Sequence, residues 1–158
     1  MKAASKPKFV YRSYIATTPE KLWQALTSPE FTSRYWGNRT IHSVWAEGAP
    51  VEMRRKDGGH DWHGEVLRFD PPRTLAYTFC VRPGGEGAPE LRSRVTFELK
   101  PLGETVMLTV THEDFEPDDS LLESISHGWP AILSSLKSLL ETGSPLEYGA
   151  WEEVCDSE

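Results

Sequence analysis

The closely spaced pair His60 and His63 could do chemistry, because imidazole is a common metal ligand. Residues three apart in an extended strand point to opposite faces, so we do not expect the two rings to share an ion. A zinc site needs three or four convergent ligands, and the sequence shows no further cluster of cysteine and histidine. We therefore predict no metal site.

His112 is the second residue of chemical interest. Strand alternation places it on one face with Leu108 and Val110, which we take to be the inner face. Ser93 is the nearest polar residue on the same face of a neighbouring strand. His112 either contacts a ligand or serves as a general acid or base, or it is a buried, hydrogen-bonded structural histidine. The sequence leaves these alternatives open.

Several enzyme classes lack their sequence signatures here. There is no Gly-x-Ser-x-Gly elbow, no Walker loop and no dinucleotide fingerprint, so acyl transfer, NTP hydrolysis and dehydrogenation have no support. We predict no cofactor. The basic residues are scattered, and only residues 54–56 form a basic run, which we interpret as solvated surface rather than a phosphate site. We expect no nucleic-acid partner.

Length and composition predict one compact domain. The 158 residues carry 38% hydrophobic and 26% charged side chains, which suits a single core. Residues 101–158 contain 13 acidic residues and one basic residue, Lys137.

Cys80 and Cys155 lie far apart in the sequence, as expected of free thiols in a reducing compartment. We expect a cytoplasmic protein with neither a membrane span nor a secretory signal. We assign residues 1–145 to the domain and 146–158 to an acidic tail, with Trp151 as its apolar anchor.

The N-terminal part predicts one strand followed by two short helices. Residues 9–15 are rich in β-formers. Thr18 then supplies a capping hydroxyl before Pro19, and Ser28 repeats this start signal before Pro29. The second helix should end at residues 36–37.

Residues 39–115 predict six antiparallel strands, because five turn-forming segments divide them at short spacing. Alternation assigns inner faces to Ile41/Ser43/Trp45, Leu75/Tyr77/Phe79/Val81, Leu91/Ser93/Val95/Phe97/Leu99 and Val106/Leu108/Val110/His112. The opposite face is predicted to be wet. A capping box at Ser120 to Glu123 then starts a long amphipathic helix that ends at Gly143. Gly128 and Pro130 predict a kink in it, or two abutting segments.

These elements predict an α+β helix-grip fold, in which a curved antiparallel sheet of about seven strands wraps around the long C-terminal helix. Such a sheet rarely closes fully on its helix, so we expect a cavity between them. Six tryptophans are many for this length, and indole nitrogens need partners that a dry core supplies poorly. The predicted ligand-binding residues are Trp36 near the rim, Trp45, Met53, Trp62, Tyr77, Phe79, Ser93, Phe97, His112, Trp129 and Leu133.

Six short motifs follow one another along the chain: residues 18–30 (TPEKLWQALTSPE), 35–37 (YWG), 63–66 (HGEV), 70–79 (DPPRTLAYTF), 128–129 (GW) and 132–136 (ILSSL). This ordered set resembles the SRPBCC superfamily, and in particular its branch similar to the C-terminal domain of heat-shock-protein-90 ATPase activators. The resemblance implies a START-like helix-grip fold. It does not select an activity, since members include lipid carriers, hormone receptors, cyclases and chaperone-associated domains.

We carry three functional hypotheses. The first is a non-enzymatic module that binds a small hydrophobic or aromatic ligand in the cavity. The second is a cyclase- or hydrolase-type enzyme that uses the same cavity, with His112 as the weak catalytic candidate. The third is a co-chaperone that binds a heat-shock ATPase. An exposed strand edge also permits a homodimer.

Overall fold

The computed structural model describes residues 8–82, 85, 87–115 and 121–148. Within them one antiparallel sheet has the strand order β1-β7-β6-β5-β4-β3-β2. The strands are β1 (Phe9–Ile15), β2 (Thr40–Ser43), β3 (Pro50–Arg54), β4 (His60–Asp70), β5 (Thr74–Val81), β6 (Leu91–Leu102) and β7 (Thr105–Glu113), and the helices are α1 (Pro19–Thr27), α2 (Pro29–Tyr35) and α3 (Leu121–Thr142). The predicted α+β helix-grip architecture is confirmed.

Local signals set the helix ends as the sequence predicts. The Thr18 hydroxyl accepts the Lys21 amide N–H at 3.2 Å at the start of α1. Helix α3 ends at Gly143, whose φ of +88° is a conformation that favours glycine, and whose N–H donates to the Leu139 carbonyl at 2.9 Å. Pro130 lies inside α3, which is one continuous helix, so the division into two segments is wrong. The predicted capping box at Ser120 lies outside the described residues.

Polar contacts fasten α3 to the first strand and to α2. The Lys137 ammonium donates to the Tyr14 carbonyl at 2.6 Å, and the Glu141 carboxylate accepts the Ala16 N–H at 2.8 Å. The Arg34 guanidinium of α2 donates to the Gly143 carbonyl at 3.0 Å. These contacts hold the C-terminal half of α3 in place, while its buried apolar side chains face the sheet.

The inner faces of β5, β6 and β7 carry the core as alternation predicts. Leu75, Tyr77, Val95, Phe97, Val106, Leu108, Val110 and His112 are at most 1% exposed. The opposite face of the sheet is less exposed to solvent than predicted, because Ala76, Thr78 and Cys80 of β5 are also buried. Gly64 of β4 accounts for part of this, since it has no side chain and its backbone lies directly against Thr78.

A bulge in β4 changes which side chains share a face. The register shifts between Met53 and Arg54, so that Met53 pairs with Trp62 and Arg54 pairs with His60, and Asp61 is the extra residue. His60 and His63 therefore lie on the same outer face and border one cleft of about 770 Å³ together with Glu52. The prediction that these histidines point to opposite faces is wrong, because simple alternation does not hold across a bulge.

The first residues assigned to the acidic tail lie against α3. The Leu146 N–H donates to the Ser135 hydroxyl at 3.1 Å, and the Tyr148 hydroxyl donates to the Ala131 carbonyl at 2.7 Å. The predicted anchor Trp151 lies outside the described residues. No helix in the described part of the chain is long and apolar enough to cross a membrane.

Candidate functional site

An aromatic cluster occupies the space between α3 and the inner face of the sheet. Trp36 follows α2, and its ring lies 6.2 Å from Trp62 of β4 and 5.3 Å from Trp129 of α3. Trp62 stacks on Tyr77 at 5.0 Å and contacts Phe79 at 4.7 Å. Because these residues come from β4, β5, α3 and the segment after α2, the rings assemble only when the sheet closes on the helix.

Most of the predicted ligand-binding residues meet in or beside this cluster. Phe97 contacts Tyr77 at 5.8 Å and Trp129 at 5.8 Å. Met53 is fully buried as the cross-strand partner of Trp62, and Leu133 is buried one turn after Trp129. Trp36, predicted near the rim, is only 5% exposed.

Trp45 does not belong to the cluster. Strand β2 ends at Ser43, and Trp45 has a left-handed φ of +53°, so the alternation that assigned it to the inner face no longer applies. Its ring stacks on Phe69 at 6.2 Å, and its indole N–H donates to the Thr27 carbonyl at 2.9 Å. Trp45 therefore packs the loop between β2 and β3 against the end of α1.

Phe115 is a residue that sequence reasoning missed. Its ring stacks on His112 at 4.8 Å and is 1% exposed. Alternation continued from His112 would assign it to the outer face, but Asp114 has a φ of +66° and redirects the chain after β7. Aspartate tolerates this conformation better than most residues, which is the only signal the sequence carried.

Three buried polar side chains form a hydrogen-bonded chain at one end of the cluster. The Trp129 indole N–H donates to Nδ1 of His112 at 3.0 Å, so this nitrogen must be the acceptor. The His112 proton then lies on Nε2, which donates to Oγ of Ser93 at 2.7 Å. The Ser93 hydroxyl donates in turn to the Phe79 carbonyl at 3.2 Å. Every donor and acceptor in this chain has a partner.

This geometry favours the structural interpretation of His112. Burial lowers the pKa of His112 to about 3, so the ring is neutral near pH 7. Both of its nitrogens are engaged, and it donates to Ser93 rather than accepting the hydroxyl proton that activation of a nucleophile requires. The hypothesis that His112 acts as a general acid or base loses its support.

We predict that Trp129→Phe lowers the free energy of unfolding by about 1–3 kcal/mol. The substitution keeps an aromatic ring but removes the N–H that satisfies Nδ1 of His112, which leaves a buried acceptor unpaired. Urea unfolding of the variant and the parent measures the difference. An unchanged free energy of unfolding would mean that another donor reaches Nδ1.

The indole of Trp62 differs in its hydrogen bonding from the indoles of Trp129 and Trp45, whose N–H groups each donate to an acceptor. Trp62 is 2% exposed, yet its Nε1 has no hydrogen-bond partner among the residues that the structure describes. An unpaired buried N–H costs about 1–3 kcal/mol, so such groups usually face a water or ligand atom that satisfies them. We expected a dry core to supply too few hydrogen-bond acceptors for its indole nitrogens, and Trp62 is a described residue at which this is so.

A curved antiparallel sheet that closes on a long C-terminal helix defines the class, which is the helix-grip α+β domain. The chain belongs to the family described as Activator of Hsp90 ATPase homolog 1-like protein, whose model matches residues 16–141. The resemblance stated from the motifs is thereby confirmed. This fold suggests a ligand-binding domain.

Solved structures agree with this assignment. Protein MLL2253 from Mesorhizobium loti is 31% identical, with a TM-score of 0.73 over 85% of this chain and 96% of that chain. The Aha1 dimer from Colwellia psychrerythraea is 23% identical, with a TM-score of 0.70 over 87% and 98%. CalU16 from Micromonospora echinospora is 21% identical, with a TM-score of 0.68 over 86% and 77%. The last two show the fold alone. No curated protein matches the sequence.

Proposed function

We propose that this protein binds a small aromatic or hydrophobic molecule between α3 and the sheet, and that the molecule carries a hydrogen-bond acceptor directed at the indole N–H of Trp62. The unpaired, buried Nε1 of Trp62 carries this proposal. A carbonyl or ether oxygen at that point would accept the hydrogen bond of this N–H, for which the described part of the chain supplies no acceptor. The hollow interior that the proposal needs stays a prediction.

The surroundings of Trp62 define the shape and polarity of the ligand. Trp36, which follows α2, contacts its ring, as do Tyr77 and Phe79 of β5, so an aromatic ligand would stack or pack edge-on among them. The Ser93, His112 and Trp129 groups satisfy one another and offer no free ring nitrogen. Polar recognition therefore rests on Trp62, and the expected ligand has one acceptor on an otherwise apolar body.

Two matched probes test the acceptor. Acetophenone and isopropylbenzene have similar shapes, but only acetophenone carries a carbonyl oxygen. Displacement of a naphthalene-sulfonate dye should show acetophenone binding about fivefold more tightly, which corresponds to one net hydrogen bond of about 1 kcal/mol. Native mass spectrometry of gently purified protein complements the titration by revealing any retained small molecule.

Trp62→Phe should remove the preference for acetophenone, because phenylalanine keeps a ring but lacks the N–H. Trp45→Phe is the matched control, since that indole already has the Thr27 carbonyl as its partner and lies outside the cluster. Trp45→Phe should keep the preference. If neither probe displaces the dye and no molecule is retained, or if Trp62→Phe discriminates as the parent does, the proposal is wrong.

Family membership supports a second candidate function, the co-chaperone hypothesis. The family description names an activator of the Hsp90 ATPase, and the match spans residues 16–141. Adding the protein to a purified heat-shock ATPase and measuring phosphate release tests it. The ligand-binding proposal expects no change in turnover.

The homodimer and the cytoplasmic location also remain proposals. Strand β1 is an edge of the sheet, and Val10 and Tyr14 on it are 45% and 53% exposed. One solved structure of the same fold is described as a dimer. An edge strand of this kind is able to pair with a second copy of the chain.

A further inference from the structure

Three potential metal ligands of different chemistry meet on the outer face of the sheet. His63 of β4 and Cys80 of β5 are cross-strand partners, and Glu90 directly precedes β6. The His63 ring nitrogen, the Cys80 sulfur and a Glu90 carboxylate oxygen all lie within 4.8 Å of one another. We propose that His63, Cys80 and Glu90 form a binding site for a divalent transition metal ion of the zinc type.

The donor set suits this class of ion. Zinc accepts imidazole nitrogen, thiolate sulfur and carboxylate oxygen at bond lengths of about 2.0–2.3 Å, so ligand atoms in a tetrahedral site lie about 3.5 Å apart. Nε2 of His63 and Oε2 of Glu90 are already 3.1 Å apart. A shift of about 1 Å in the His63 and Glu90 side chains would bring their ligand atoms to the distance from the Cys80 sulfur that a tetrahedral site needs.

The outer face allows that shift without repacking the core. The side chains of His63 and Glu90 are 52% and 30% exposed, so both can rotate, whereas Cys80 is 4% exposed and fixed. An ion would therefore lie over the buried sulfur, with the imidazole and carboxylate at its rim. Solvent reaches that rim, so a water molecule can take the fourth position.

Neighbouring groups orient the ligands. The Arg82 guanidinium lies 3.3 Å from Oε2 of Glu90 and would hold this carboxylate in place when the ion takes over the His63 contact. Gly64 permits β4 to approach β5 closely, which brings His63 next to Cys80. Burial raises the pKa of the Cys80 thiol, so metal binding must release its proton to solvent as the sulfur becomes a thiolate ligand.

The proposed site departs from the expectation of no metal site, which considered the spacing of His60 and His63 and the lack of a further cluster of cysteine and histidine in the sequence. It lies on the face of the sheet opposite to Trp62, because Trp62 and His63 are successive residues beyond the bulge at Asp61. The inference is therefore independent of the proposed ligand in the aromatic cluster. A failure of either proposal leaves the other unaffected.

Titration of the full chain with Zn²⁺ against a chromogenic chelator tests the site, and Co²⁺ absorption reports the ligand type. Bound Co²⁺ should show a thiolate charge-transfer band at one equivalent. Cys80→Ser should abolish the band, and Cys80→Ser, His63→Gln and Glu90→Gln should each weaken Zn²⁺ binding at least tenfold, roughly the loss seen when a supporting group alone is removed. Glu90 is exposed, so Glu90→Gln is not expected to disturb folding, and circular dichroism verifies this.

Two controls separate this site from its alternatives. Cys155→Ser should keep the thiolate band, and His60→Gln should bind Zn²⁺ as the parent does, since His60 pairs with Glu52 at 3.1 Å in the neighbouring cleft. Loss of the band in Cys155→Ser would show that Cys155, not Cys80, supplies the thiolate. Loss of Zn²⁺ binding in His60→Gln alone would show that the ion binds in the cleft. Either result, or a parent protein that binds no Zn²⁺, would overturn the proposal.

Discussion

Gly64→Ala should destabilise the protein by about 3 kcal/mol or more, because a methyl group at this position has no space. An ideal Cβ would overlap the carbonyl oxygen of Thr78, lie 2.6 Å from its carbonyl carbon and lie 2.8 Å from its hydroxyl oxygen. A backbone carbonyl cannot rotate away, so β4 would have to move off β5. That movement would also strain the hydrogen bond from the Glu65 N–H to the Thr78 hydroxyl, which is 2.8 Å long.

Gly128→Ala is the matched control, because it makes the same chemical change in open space. Gly128 lies within α3, and a Cβ there would meet no described atom within 4 Å apart from its chain neighbours and its own helix backbone. Alanine is favoured over glycine in a helix interior, so this variant should gain about 0.5–1 kcal/mol. Urea unfolding of both variants gives the two values. A loss at Gly64 below about 1 kcal/mol, the size of an ordinary substitution, would show that β4 can yield at this point.

The second large effect is a loss of stability between pH 7 and pH 5 that depends on His112. Burial lowers its pKa in the folded protein to about 3, whereas the unfolded chain has a value near 6.5. Between these values the unfolded state binds the proton and the folded state does not. Stability therefore falls as the pH falls, by about 2 kcal/mol from pH 7 to pH 5.

His112→Gln should remove this part of the pH dependence, whatever its effect on stability at pH 7. A glutamine amide offers an acceptor for Trp129 and a donor for Ser93, but it does not titrate. His127→Gln, at an exposed position of α3, serves as the control for replacing a histidine and should keep the slope of the parent. The measurement is the free energy of unfolding in urea at intervals from pH 7 to pH 5. Parallel slopes for the parent and His112→Gln would contradict the assignment of a neutral, buried ring.

The secondary structure could be predicted from the sequence because the signals for helices, strands and turns are local. Strand β1 spans Phe9–Ile15 and α3 ends at Thr142, both as expected from alternation, helical spacing and the stop at Gly143. Five turn segments correctly divided residues 39–115 into six strands. Each of these signals depends on residues a few positions apart, which a reading of the chain can detect.

The candidate site could be predicted only in part from the sequence, because strand alternation fails wherever the backbone departs from a regular strand. Trp45 and Asp114 have left-handed φ values, and a bulge at Asp61 places His60 and His63 on one face. Each departure transfers the side chains that follow it to the other face. Side-chain type alone does not reveal where such a departure falls.

The sequence by itself determined the elements, the inner faces of β5 to β7 and the aromatic character of the space they enclose. Only the tertiary structure decided that Trp129 donates to His112, that the Trp62 N–H meets no acceptor within the described ranges, and that His63 and Cys80 lie beside Glu90. The physical reason is the distance along the chain over which each kind of interaction acts. Alternation and helical spacing act between near neighbours, whereas a hydrogen bond or metal ligand set requires atoms from distant segments to meet within a few ångströms, and strand register and helix docking set those distances.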